Sequence, residues 1–338
     1  MPDDKSRRGM VAAMRDHAMS RLLTILLLLF IAATIAHAQP GTSPECASAT
    51  MPAITEARSK CNRIDWPSQQ SVRPLFDDEF TSLSLHDIWR RGDNWQLVAP
   101  DTPRGRGGAN FQEMGDQWWI NPFNPSTPVS GGPRPAPLYQ IDSNGLKLAL
   151  LPAPSRSQSY VHSQCRCTNM KYVGALLNSS QTSRRRFGYV EMQVAVDRLP
   201  GFTFQADEEA QPFPMVWPPE IDFPLIYTDA GGVQWMKIQV NERGGKTQTY
   251  ATSSRDGFDA SVMHTYGVDW QVNFITFYVD GVQVFRVPTP DGSYTHYRMY
   301  WYLLTGANYQ QTSPIDPNLA SLPVYAHMRY FREYARRP

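Results

Sequence analysis

Two acids one residue apart, Glu220 and Asp222, follow the aromatic and proline-rich run Phe213-Pro214-Met215-Val216-Trp217-Pro218-Pro219. On an extended strand, alternate residues face the same way. The two carboxyls therefore share one side, and Ile221 and Phe223 share the other. Acids this close repel, which raises the pKa of at least one of them. Paired carboxyls flanked by aromatic rings suit glycoside chemistry, in which two acidic groups divide the work at one bond. The structural alternative is a solvated or cation-bound acidic edge. Thr228 to Gly232 reads as a turn, and antiparallel pairing across it sets Gln239 roughly opposite Asp222 and Asn241 roughly opposite Glu220. Lys237 falls roughly opposite Pro224. In Trp235 to Asn241, the residues Met236, Ile238 and Val240 alternate with Trp235, Lys237, Gln239 and Asn241, so both amides fall on the polar face. Rings and amides on one face can stack on and hydrogen-bond to a sugar.

Elements that must position these groups are strands. In Tyr189 to Val196, the residues Val190, Met192, Val194 and Val196 face one way and Tyr189, Glu191, Gln193 and Ala195 the other. Phe274 to Val279 and Val282 to Val287 flank Asp280-Gly281, a hairpin signal. Leu146 to Leu150 and Val324 to Tyr334 add two more strands. Long helical periodicity is absent after the N-terminal segment, and no repeat is visible. Many short strands among 28 prolines and 22 glycines predict two packed sheets. A formal net charge of +1 over 338 residues excludes the broad electrostatic attraction of a nucleic-acid binder.

Leu22 to Ala36 is a short apolar run preceded by Arg7, Arg8, Arg15 and Arg21 and followed by Ala36-His37-Ala38. This pattern predicts a secretory signal peptide over residues 1–38. The run is short for a membrane span, which needs roughly 20 residues. Residues 39–70 read as a Pro/Ser/Ala-rich lead-in. The four cysteines, Cys46, Cys61, Cys165 and Cys167, predict disulfides in an exported chain. A bond inside Cys165-x-Cys167 would close a very tight ring. One or both of that pair are expected to bond to Cys46 or Cys61.

The sequence resembles glycoside hydrolase family 16, the laminarinase and lichenase group, over about residues 75 to 334. The motifs run in order. Leu75-Phe76-Asp77-Asp78-Glu79-Phe80 with Trp89 looks like its opening strand, and Asn110-Phe111-Gln112-Glu113 through Trp118 like the segment after it. Asn144-Gly145-Leu146-Lys147-Leu148 and Arg186-Phe187-Gly188-Tyr189-Val190-Glu191 resemble two further strands. Pro214 to Asp222 resembles the active-site strand. His264-Thr265-Tyr266-Gly267-Val268-Asp269-Trp270 and Phe277-Tyr278-Val279-Asp280-Gly281 lead to the closing strand at Val324 to Tyr334. The resemblance implies an all-β, concanavalin A-like jelly roll over residues 71–338, two antiparallel sheets with substrate along a concave cleft. It also implies that Glu220 is the nucleophile of a retaining mechanism, that Asp222 assists it, and that Trp217 is a sugar platform. Glu191 is expected to bind sugar with Gln239, Asn241 and Trp235.

The family's third acid, the acid/base, stands four or five residues after the nucleophile. Here those positions are Pro224 and Leu225. Replacement donors are Glu191, Glu242, Lys237, and Asp207, Glu208 and Glu209, read as a loop before the site. The expected function is a secreted, retaining, endo-acting hydrolase of a β-linked polysaccharide of the β-glucan type. The alternatives are a non-catalytic glycan-binding protein on the same fold, or a transglycosylase or lyase. No cofactor and no metal at the site are expected, with room left for a structural calcium ion. The partner is a polysaccharide; neither nucleic acid nor, after signal cleavage, membrane is expected, and the protein is expected to be a monomer.

Overall fold

The computed structural model describes residues 72–85, 91–95, 111–114, 117–120, 138–153, 155, 171–210, 219–242, 244–290, 292–307 and 317–335. The expected signal peptide over residues 1–38, the chain read as a lead-in over residues 39–70, all four cysteines and Trp217 lie outside the described residues. In chain order the strands are β1 (Phe76–Asp78), β2 (Phe111–Met114), β3 (Gln117–Ile120), β4 (Tyr139–Asp142), β5 (Gly145–Pro152) and β6 (Tyr172–Gly174). Then follow β7 (Leu176–Asn178), β8 (Gly188–Val196), β9 (Phe202–Glu209), β10 (Glu220–Thr228), β11 (Gln234–Glu242) and β12 (Lys246–Ser253). The last five are β13 (His264–Trp270), β14 (Phe274–Val279), β15 (Val282–Pro288), β16 (Tyr300–Ala307) and β17 (Val324–Tyr334).

Eleven strands make one sheet, in the order β15-β14-β13-β8-β17-β5-β6-β3-β2, with β1 on β17 and β4 on β5. Six make the other, in the order β12-β11-β10-β9-β16-β7. Pairing is antiparallel except between β3 and β6. This is the jelly-roll sandwich expected from the alternation. The β14–β15 hairpin turns at Asp280 (φ 50°) and Gly281 (φ 80°), both left-handed, as a two-residue turn of matching twist requires.

The core forms where the apolar alternate residues of both sheets meet. Ile221, Phe223 and Ile226 of β10 and Met236, Ile238 and Val240 of β11 belong to one buried cluster with Val190, Met192, Val194 and Val196 of β8. Phe223 meets Tyr266 and Phe277 of the opposite sheet edge to face, with ring centroids 5.6 and 5.2 Å apart. The core side of β10 thus anchors the strand and fixes which side its acids take.

Two expectations need correction. Glu191 lies on β8, inside the eleven-stranded sheet between β13 and β17, and is buried 3.8 Å from the Arg332 guanidinium. It is on the other sheet from Glu220 and has no place at that site. Asp207, Glu208 and Glu209 are not a loop: they end β9, hydrogen-bonded directly to β10. Thr203, Gln205, Asp207 and Glu209 alternate with Phe202, Phe204, Ala206 and Glu208 in the period of two that marks a strand. Glu208 takes the core side. There it accepts two hydrogen bonds from Arg185, at 2.8 and 2.7 Å, and the guanidinium lies between the rings of Trp270 and Trp301.

Candidate active site

On the outer face of the six-stranded sheet, turned away from the core, β10 and β11 pair Glu220 with Asn241 and Asp222 with Gln239. The register then shifts. Leu225, not Pro224, stands opposite Lys237, so Phe223 and Pro224 together occupy the place opposite Ile238. This is a β-bulge. Its cause is in the sequence: proline has no N–H to give to the ladder. The same shift separates Asp222 from Leu225 against β9. One extra residue restores the parity, so Glu220, Asp222 and Leu225 all face outward while Ile226 returns to the core.

Glu220 and Asp222 are held by amides. Asn241 Nδ2 donates to Glu220 Oε2 and lies 3.4 Å from Asp222 Oδ2. The Thr247 hydroxyl on β12 donates to Asn241 Oδ1 at 2.9 Å, which turns the amide nitrogen toward the acids. Gln239 donates to Asp222 Oδ2 at 2.7 Å and Gln205 to Asp222 Oδ1 at 2.6 Å. Below Glu220, the buried Tyr294 hydroxyl accepts from the Glu220 N–H at 3.2 Å and shares its proton between the Glu220 and Asn241 carbonyls, at 2.6 and 2.7 Å. The nucleophile candidate is therefore fixed at both its side chain and its backbone.

Strand β9 brings Asp207 to this face, on a strand rather than in the expected loop. Asp207 pairs with Asp222, and carboxyl oxygens of Asp207, Glu220 and Asp222 all lie within 4.8 Å of one another. Gln205 Nε2, which serves Asp222, is also 3.1 Å from Asp207 Oδ2. Burial and the charge of Glu220 push the Asp222 carboxyl up to about 8, against the bonds from Gln239 and Gln205. Burial, followed by the charges of Glu209, Asp222 and Glu220, holds Asp207 well above the usual carboxylate range. At neutral pH this trio retains at least one proton. Amide N–H groups already point at the oxygens of Glu220 and Asp222, and a cation would have to displace them. The donor set fits a shared proton better than a metal.

Around the acids the face is aromatic and apolar. Trp235, half-buried, stacks on Tyr227 with centroids 6.4 Å apart and planes at 16°, and its indole N–H donates to Asp229 at 2.9 Å. Tyr300 and Tyr302 on β16 pair with Glu209 and Asp207 and join Leu176 and Leu304 in a buried cluster. Arg184 lies over the Tyr300 ring at 5.3 Å. Lys237 lies half-buried beside Leu225. Glu242 takes the parity of Val240 and accepts from Gln248 Nε2, so it is not among the outer-face acids. Of the sequence-derived residues, the face unites Glu220, Asp222, Gln239, Asn241 and Trp235 and, from the replacement donors, Asp207, Glu209 and Lys237. It adds Gln205 and Thr247.

Residues 152–307 match the model of glycosyl hydrolases family 16. The chain is 26% identical over 226 residues to endo-1,3-1,4-beta-glycanase ExsH of Rhizobium meliloti (strain 1021), covering 64% of this chain and 42% of that protein. It is 27% identical over 223 residues to endo-1,3-1,4-beta-glycanase EglC of the same organism, with the same coverage. The chain thus spans less than half the length of these relatives. Among solved structures, SCLam, a non-specific endo-beta-1,3(4)-glucanase from family GH16, superposes with a TM-score of 0.56 at 17% identity, covering 82% of this chain and 95% of that one.

Proposed function

Through residues 152–307 the chain belongs to glycosyl hydrolases family 16, and from that premise we propose that it is a secreted, retaining hydrolase cutting within β-linked glucan chains. The observation that carries the reading is the outward pair Glu220 and Asp222, braced by Asn241 and Gln239. Glu220 attacks the anomeric carbon and forms a glycosyl ester, which water then hydrolyses. Asp222, beside it, answers the changing charge on Glu220 as the ester forms and breaks. Trp235 and Tyr227 offer a ring surface to the apolar face of a sugar. The glucanase relatives support a β-glucan as the substrate class.

One observation favours a second reading. Leu225 stands where a third carboxyl would project beside Glu220 and Asp222, which suits a glycan-binding protein without turnover. Assay of the protein on a panel of β-1,3-, β-1,4- and mixed-linkage glucans, xylan and galactans decides. Release of new reducing ends with a rapid fall in polymer viscosity, and β-configured first products, is the expected result. Retention on a glucan column without reducing-end release would establish the binder instead.

A further inference from the structure

Because Leu225 cannot transfer a proton, the site as read above has a nucleophile but no acid/base on its own strand. We propose that the acid/base of this enzyme is Asp207, supplied from the neighbouring strand β9. This inference rests on the proposed hydrolytic function. Three observations carry it. Asp207 is the direct cross-strand partner of Asp222 and has a carboxyl oxygen within 4.8 Å of both Asp222 and Glu220. That spacing is near the ~5–5.5 Å of retaining hydrolases and well short of the ~6.5–9.5 Å of inverting ones. Second, the hydrogen bonds set Asp207 apart. Both Asp222 oxygens accept from amides, and Glu220 Oε2 accepts from Asn241, whereas Asp207 accepts at Oδ2, from Gln205 Nε2. Asp207 is 5% exposed, and its Oδ1 has no hydrogen-bond partner. A buried carboxyl oxygen with nothing donating to it is the one best suited to hold the trio's proton and pass it on. Third, three rival carboxyls are placed elsewhere: Glu191 is in the other sheet, Glu208 is bound to Arg185 on the core side, and Glu242 has core-side parity. Glu209 shares the outer face and pairs with Glu220, so it is the competing acid that the test includes.

In the first step the Asp207 proton moves to the glycosidic oxygen, which takes the electron pair of the breaking C1–O bond. Glu220 forms its ester to C1 at the same time. In the second step Asp207, now a carboxylate, takes a proton from water. The water oxygen bonds to C1, and the Glu220–C1 bond breaks with its electrons returning to Glu220. Asp207 ends protonated and one water has been added across the bond.

The test uses Asp207→Asn, a variant of equal size that removes a charge from a crowded acidic trio and so should fold. Its rate on unactivated β-glucan should fall about 10²–10⁴-fold. On a dinitrophenyl β-oligoglucoside, whose leaving group needs no proton, release should fall far less. Sodium azide should speed that turnover and yield the β-glycosyl azide, and the alkaline limb of the wild-type pH profile should vanish. Asp207→Glu, which keeps a proton, should hydrolyse the polymer faster than Asp207→Asn without azide. Unchanged polymer hydrolysis and an unchanged alkaline limb in Asp207→Asn overturn the assignment while leaving the hydrolase reading standing. Azide rescue appearing in Glu209→Gln instead overturns it in favour of Glu209. A wild-type protein inactive on both substrates removes the hydrolase reading itself, and this proposal with it.

Discussion

Leu225 pairs with Lys237 across the β10–β11 ladder because Phe223 and Pro224 share one partner position. The bulge returns residue 225 to the side of Glu220, whereas residue 224 sits within the irregularity. A carboxyl restored at 225 should therefore reach the site. In an Asp207→Asn background, Leu225→Glu should raise polymer hydrolysis at least about tenfold, a modest part of the ~10²–10⁴ that acid/base help supplies. Pro224→Glu should give no gain. Reducing-end assays of both double variants check this, and a gain at 224 alone would contradict the observed register.

The Thr247 hydroxyl holds Asn241 with its nitrogen toward Glu220. Thr247→Val keeps the shape and removes that bond, which is worth about 0.5–1.5 kcal/mol. Turnover should fall roughly 2–10-fold at that magnitude, with KM little changed, and Thr247→Ser should recover it. A change confined to KM would show that Thr247 contacts substrate rather than positioning Asn241.

Arg185 and Glu208 form a buried ion pair between the sheets, with the guanidinium lying between Trp270 and Trp301. Arg185→Met leaves Glu208 buried without its partner, a loss of about 3–5 kcal/mol. The double variant Arg185→Met/Glu208→Leu should regain most of it. Urea denaturation of the single and double variants measures this. Equal stability of the single variant and the wild type would show that the pair contributes nothing.

Stability should fall as pH rises from about 5 to 8. Burial raises Asp222 to about 8 and Glu333 to about 7, and also raises Asp207 and Glu208, all from values near 4. Between those limits the folded state binds protons that the unfolded chain has released, so rising pH favours unfolding. Asp142, Asp229 and Asp259 are shifted down, so their stabilising contributions are lost only below about pH 4, outside this window. The urea midpoint should be lower at pH 8 than at pH 5, and Asp222→Asn should lessen the difference. A midpoint that rises over this range would contradict the burial of protonated acids.

Much of this site was legible from parity alone. The alternation of Glu220, Ile221, Asp222 and Phe223 and that of Trp235 to Asn241 were enough to set Asn241 opposite Glu220 and Gln239 opposite Asp222. The β14–β15 hairpin announced itself through Asp280-Gly281. Strand β9 did not, because its three consecutive acids look like a solvated loop; the signal was the alternation of Phe202, Phe204 and Ala206 with Thr203 and Gln205. Glu191 misled for the opposite reason. Parity gives the face of a strand but not the sheet to which the strand belongs, and only the pairing of β8 with β13 and β17 separates Glu191 from Glu220. The bulge was half legible: a proline at 224 has no N–H to give to the ladder, but the one-residue shift depends on how both neighbouring strands resume.

In the proposed reaction Glu220 forms the glycosyl ester. A 2-deoxy-2-fluoro β-oligoglucoside with a dinitrophenolate leaving group should form that ester and hydrolyse it slowly, leaving a trapped protein for peptide mass spectrometry. The peptide containing Glu220 should carry one added fluoroglycosyl unit, with fragmentation placing it on that side chain, and Glu220→Gln should carry no label. A label on another carboxyl, or β-glucan hydrolysis at the wild-type rate by Glu220→Gln, would contradict this role of Glu220.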